Sequence, residues 1–171
     1  MNHHAPLVCV MGVSAAGKST VGIALADALG VPFADADSLH SAANRTKMNA
    51  GTALTDDDRW PWLDAVGARF GASEGTGLVM ACSALRRVYR DRIRAAGPGV
   101  VFVHLTGSRE LLLSRAQTRT DHFMPASLLD SQVATLEDLE SDEAGFEVTV
   151  DRAPDELVAE IVERLGSGQA R

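Results

Sequence analysis

The chain has 171 residues, 46% of them hydrophobic and 23% charged, the composition of one ordinary globular domain rather than a disordered chain. Sixteen basic against 23 acidic residues give a formal net charge of −7, so a nucleic acid would find no basic field to bind. No apolar run reaches the ~20 residues of a membrane span and no basic leader precedes a signal-like core, so a single cytoplasmic domain over residues 1–171 is expected.

Leu7 to Met11 is a short continuous apolar run, the pattern of a strand buried on both faces of a parallel sheet. It ends at Gly12. From Lys18 the spacing of Val21, Ile23, Ala24, Leu25, Ala28 and Leu29 is helical, and Gly30 closes it. A short strand is expected near residues 31–35, a helix over 38–49 and a longer helix within 57–72. A third strand over 78–82 precedes an arginine-rich helix over 84–95, a fourth strand covers 100–105, and helices follow over 108–119 and 125–139. A fifth strand over 146–150, a helix over 154–165 and a loose tail over 166–171 complete the chain. Strands alternating with helices imply an α/β sandwich around a mainly parallel five-stranded sheet. Cys9 and Cys82 lie in apolar runs without CxxC spacing and read as buried reduced thiols, while His3 and His4 read as a frayed terminus.

Gly12-Val13-Ser14-Ala15-Ala16-Gly17-Lys18-Ser19 has the GxxxxGK[ST] spacing of a Walker A phosphate loop. Its glycines let backbone N–H groups wrap a phosphate, and the helix beginning near Lys18 points its positive end at the same anion. Lys18 adds a point charge at the β/γ-phosphates, Ser19 offers a hydroxyl to Mg²⁺, and Thr20 continues the nucleotide-binding run. The donor implied is ATP. No NKxD guanine reader is present, as a switch GTPase would need, and the chain is short for a motor.

The second strand ends in Asp35-Ala36-Asp37, where doubly wound sheets place ligands. Asp37 is placed to take the proton of an acceptor hydroxyl and Asp35 to hold Mg²⁺ through a water; the alternative for one of them is a helix N-cap. Asp56, Asp57 and Asp58 suit a helix start, and Pro61, which belongs in a first turn, favours Asp57 or Asp58 over Thr55 as the cap. The third strand runs into Ser83, then Arg86 and Arg90 four apart on one helical face, a plausible anion-binding acceptor pocket, with Arg92 and Arg94 solvated. Arg115 and Arg119, also four apart, suit a lid over residues 115–127 that closes on ATP and neutralises the transferring phosphoryl group; helix-dipole complementation is the alternative.

The blocks Asp35 to His40, Lys47-Met48, Leu54 to Leu63, Cys82 to Asp91, His122-Phe123-Met124, Leu128 to Gln132 and Thr135 to Glu137 together resemble bacterial gluconokinases of the P-loop type, relatives of the shikimate kinases. The blocks and the phosphate loop span residues 12–137 in the family's order. The chain departs from the family's usual residues at Ala15-Ala16, Ala36, Ser41 and Arg86. The resemblance implies a nucleoside- or shikimate-kinase-like fold with a short lid, a homodimer, and transfer of the ATP γ-phosphoryl group to the terminal hydroxyl of D-gluconate. Asp37 would be the base, with Lys18 and Arg119 stabilising phosphoryl charge. Arg59 would pair with the substrate carboxylate, a surface ion pair being its alternative, and His40, His122 and Gln132 would help form the acceptor pocket. The competing functions are a shikimate or nucleoside monophosphate kinase and a nucleotide-binding regulatory protein without acceptor chemistry.

Overall fold

A computed structural model describes residues 4–118 and 126–168. β1 (Leu7–Met11) is buried at all five positions because it lies at the centre of the sheet. It pairs in parallel with β3 (Leu78–Ala81) on one side and β4 (Val101–Thr106) on the other; β2 (Phe33–Asp35) and β5 (Gly145–Thr149) form the edges, in the order β2-β3-β1-β4-β5. Strand alternation divides the interior into two cores. Val8 and Val10 face one with α1 (Lys18–Leu29) and α7 (Pro154–Gly166), whereas Leu7, Cys9 and Met11 face the other with α3 (Asp56–Gly71) and α4 (Arg87–Ala96). α3 and α4 approach closely because Gly71 has no side chain: a Cβ there would lie 2.5 Å from the Ala96 carbonyl oxygen. The chain leaves β1 for β2 and β3 on one flank and later fills the other flank with β4 and β5. The carboxyl end of β1 is thus the topological switch point, where open α/β sheets bind ligands.

Cys9 and Cys82 are buried free thiols, and burial, followed by the neighbouring Cys82 sulfur, raises the Cys9 pKa so that it stays protonated.

The local structure departs from the sequence pattern in four places. Residues 36–39 form a short 3₁₀ turn rather than the start of a helix, with the Asp35 carboxylate accepting from Asp37 N; α2 (Ala42–Asn49) begins after Ser41, whose hydroxyl accepts from Asn44 N. α3 is capped by Thr55, not Asp57 or Asp58. Thr55 Oγ1 accepts from Asp58 N at 3.2 Å and Asp58 returns a carboxylate to Thr55 N at 3.0 Å, a reciprocal box that satisfies two end donors and outweighs the lost N–H of Pro61 inside the helix. α4 starts at Arg87 because Ala84 takes a left-handed φ of 44° and keeps the preceding segment out of the helix. α5 (Arg109–Thr118) is followed by α6 (Ala126–Thr135), which stops short of 139 and leaves residues 136–140 as an irregular strap.

Candidate active site

Gly12 leaves β1 with φ 145°, and a Cβ there would lie 2.9 Å from the Leu105 carbonyl oxygen, so this close turn requires glycine. Ser14–Ala16 make a 3₁₀ turn, and Ala15 and Ala16 need no positive φ, so two alanines fit the loop. Gly17, at φ 88°, leads into α1, which among the described residues has no side-chain cap at its start, the end of a helix that favours an anion. Lys18 Nζ donates to the Val13 carbonyl at 3.0 Å, across the same loop.

Two carboxylates stand at the end of β2. Ser19 Oγ donates to Asp35 Oδ2 at 3.5 Å while Asp35 Oδ1 accepts from Asp37 N at 2.9 Å, so Asp35 joins the loop serine to the next turn and is also the cap anticipated for one aspartate. Asp37 is open to the cleft, yet the protein crowded around it raises its pKa by desolvation, Asp35 adds to the rise, and Lys18 and His40 oppose it. His40 is buried, stacked on Trp62 with centroids 4.1 Å apart, and burial lowers its pKa. Trp62 is fixed in turn by its indole N–H to the Ala36 carbonyl at 2.7 Å, and Asn44 bridges His40 Nδ1 to the Asp58 carbonyl.

Arg59 and Arg86 converge on Asp56, Arg59 at 3.3 Å and Arg86 at 3.0 Å, and both guanidinium groups lie 5.5 Å from the Tyr89 ring centroid. Tyr89 OH donates to the same carboxylate at 2.5 Å, the leading reason the Asp56 pKa is lowered. This is a carboxylate held by two arginines and a phenol. The sequence pattern marked Asp56 only as a helix-start residue and gave Tyr89, the one tyrosine of the chain, no role of its own. Ser83 is half-buried beside the loop, its carbonyl accepting from Gly12 N at 3.3 Å.

Other expected residues lie elsewhere. Arg90 does not share a helical face with Arg86, which is the residue capping α4. Arg90 is fully buried, with Nε 2.7 Å from Glu143 Oε1 and further bonds to the carbonyls of Ala84, Leu85 and Asp138, so its donors are committed within the fold. Arg94, expected in solvent, is packed over Phe102 and bonded to Asp91 and Glu143, whereas Arg92 is half-exposed and paired with Asp64. Gln132 on α6 reaches the phosphate loop itself: its Oε1 accepts from Ser14 N at 2.7 Å and from Ser14 Oγ at 2.9 Å. Arg119 and His122, with most of the expected lid, lie outside the described residues.

On the other side of the loop a cavity of about 270 Å³ is lined by Gly17, Thr20, Arg115, Thr118, Arg152 and Pro154, among others. Arg115 Nη2 donates to the Val150 carbonyl at 2.6 Å, joining α5 to the loop before α7, and Arg152 pairs with Glu160. Arg152 carried no motif signal. The cavity adjoins the first turn of α1, where a nucleotide beyond its phosphates would extend.

The shikimate kinase family model matches residues 14–166. A gluconokinase of Gluconobacter oxydans is 45% identical over 155 residues, covering 90% of this chain and 87% of the relative. A crystal structure of a gluconokinase from Sinorhizobium meliloti superposes with a TM-score of 0.88 at 46% identity, covering 96% of this chain and 93% of that one. The chain belongs to the gluconokinase family. The thermoresistant gluconokinase of Escherichia coli, 36% identical over 98% of both chains, extends that gluconokinase relationship across the full length described. The switch-point loop and the arginine–carboxylate cluster are therefore parts of a gluconokinase-family kinase fold.

Proposed function

We propose that the protein phosphorylates D-gluconate with ATP, giving 6-phosphogluconate and ADP. The observation that supports this reading is that the fold with the phosphate loop also holds Arg59, Arg86 and Tyr89, a set of donors already arranged around one carboxylate, that of Asp56. A sugar acid has a carboxylate at one end and a primary hydroxyl at the other. Bound with its carboxylate at the arginines, it would present the hydroxyl toward Asp37 and the loop.

In this assignment the loop N–H groups between Val13 and Thr20, other than those of Ser14 and Ala16, which are bonded within the protein, hold the ATP phosphates together with Lys18, with Lys18 and Arg119 neutralising charge on the transferring group. Arg115 borders the remainder of the nucleotide, in the cavity it shares with Thr20 and Arg152. The hydroxyl of Ser19 and the Asp35 carboxylate are hard oxygen donors 3.5 Å apart, which suits Mg²⁺, with Asp35 acting through a water. Held by these two residues, Mg²⁺ would neutralise part of the charge on the nucleotide phosphates. Asp37, its pKa raised, takes the proton from the acceptor hydroxyl. His40, Ser83 and, outside the described residues, His122 border the acceptor. Gln132 shapes the donor loop through Ser14 rather than opening onto free space. Arg90 is excluded from substrate contact by its burial.

An ADP-release assay with gluconate, shikimate, a nucleoside monophosphate and no acceptor separates the alternatives. Gluconate-dependent release supports the proposal. Release driven by another acceptor, or equal with none, overturns it. A sharper result is expected of Arg59→Ala, which should raise KM for gluconate about 10–100-fold, the range for a lost charge-assisted hydrogen bond, with a smaller change in KM for ATP. Arg59→Lys should recover only part of that loss because an ammonium does not reproduce the guanidinium fork. An unchanged gluconate KM in Arg59→Ala would reduce Arg59 to an ion pair with Asp56.

A further inference from the structure

Among the described residues, three buried side-chain nitrogens have no hydrogen-bond partner: Nη1 of Arg94, Nε of Arg164 and Nδ1 of His104. The two arginines make other hydrogen bonds and lie over rings, Arg94 at 5.1 Å from the Phe102 centroid and Arg164 at 4.1 Å from that of Phe146. For His104 Nδ1 the Glu147 carboxylate lies at 3.6 Å, beyond hydrogen-bond distance. His104 is 1% exposed on β4, where an unpaired ring nitrogen is unfavourable.

Two carboxylates face that nitrogen. The parallel register sets Glu147 of β5 directly opposite His104, with Oε1 3.6 Å from Nδ1. Asp138, on the strap between α6 and β5, supplies a further oxygen, and the three ligand atoms lie within 4.8 Å of one another. The strap is held by its backbone: Arg90 Nη2 donates to the Asp138 carbonyl at 3.2 Å and Glu137 N to the Leu85 carbonyl at 2.7 Å. His104 and Asp138 also line a cavity of about 180 Å³ that extends to Val13 behind the phosphate loop.

We propose that His104, Asp138 and Glu147 bind one borderline divalent metal ion, of which Zn²⁺ is the type, at a site separate from the nucleotide and acceptor positions. Tetrahedral zinc with bonds of about 2.0–2.1 Å sets its ligands about 3.3 Å apart, close to the spacing of His104 and Glu147, and both carboxylates are exposed and free to rotate inward. A neutral imidazole at this buried position would offer its Nδ1 lone pair to a metal. One nitrogen with two carboxylates favours Zn²⁺ over the Mg²⁺ of catalysis, which prefers oxygen ligands only.

The test is calorimetric titration of the full chain with Zn²⁺ in millimolar Mg²⁺, with Co²⁺ absorption as a second readout of coordination. One equivalent is expected to bind. Glu147→Gln and Asp138→Asn, both exposed and safe for folding, should each weaken binding at least about tenfold, and His104→Gln should abolish it. Replacing His3 and His4 by alanine should leave it intact. No saturable binding tighter than about 1 mM, binding that survives Glu147→Gln with Asp138→Asn, or binding lost with His3 and His4 would each overturn the assignment.

Discussion

Asp37→Asn is expected to lower kcat by about 10²–10⁴-fold, the usual contribution of a positioned general base, while the affinity for ATP stays unchanged. The amide keeps the size of the carboxylate but cannot take a proton from the acceptor hydroxyl. The loop from Gly12 to Ser19 does not use the Asp37 side chain for its conformation: the neighbouring contacts are made by Asp35, through Ser19 Oγ and Asp37 N. A second consequence concerns pH. Desolvation and then Asp35 raise the Asp37 pKa, so the active, deprotonated form is lost as pH falls through a value above the usual carboxylate range. The acid limb of kcat/KM should therefore lie at higher pH than an ordinary aspartate would give, and Asp37→Asn should remove the part of that limb due to Asp37. Titration of the ATP phosphates is common to both proteins and cancels in the comparison. Steady-state kinetics over the acid range measures both effects, and a kcat unaffected by the substitution would remove Asp37 from the chemistry.

The turn of the Walker A loop was legible in the sequence because its demands are backbone demands. A strand that must turn at once against Leu105 and then open into a helix needs glycine at fixed positions, and Gly12 and Gly17 supply them at φ 145° and 88°. The three inner strands were legible for a similar reason, since strands buried on both faces leave unbroken apolar runs, whereas the edge strands β2 and β5 are only partly buried. The acceptor half was less so. Ala84 takes a positive φ without being glycine, and no sequence sign marks that, so α4 seemed to begin three residues too early. That shift placed Arg86 and Arg90 on one face when they have separate roles. Gln132 lies 118 residues from Ser14, and nothing local to either residue announces their bond. At Thr55 the signal was present but was outweighed: the Thr-x-x-Asp box was legible, and the preference of Pro61 for a first turn was given more weight than the structure gives it.

Breaking the Arg90–Glu143 pair should produce the largest loss of stability. Both side chains are fully buried, and Glu143 Oε2 also accepts from Glu140 N at 2.9 Å while Oε1 accepts from Arg94 at 2.8 Å. Burial pushes the Glu143 pKa up, but hydrogen bonds from Arg90, the Glu140 backbone and Arg94 together hold it at about 2. Because the folded value lies below the unfolded one of about 4.3, the pair's contribution is fully present at neutral pH and is lost as pH falls from there toward 2. Glu143→Gln leaves a buried guanidinium without its counter-charge, and such a break costs about 3–5 kcal/mol, or about 10 °C in Tm for a chain of this size. Urea unfolding at neutral pH measures the loss, which should shrink in acid as wild-type Glu143 is itself protonated. The consequence extends to the cleft, since Arg90 also holds the carbonyls of Ala84 and Leu85, on the turn that follows Ser83. Glu143→Gln should therefore raise KM for gluconate as well as lower stability, although Glu143 touches no substrate. Arg90→Met with Glu143→Leu should restore part of the stability, because the buried Arg90 and Glu143 charges are removed together although Arg94 and Glu140 N lose an acceptor, but should not restore the gluconate KM, because methionine cannot hold the two carbonyls. Recovery of both together would mean that the turn after Ser83 is fixed by packing rather than by Arg90.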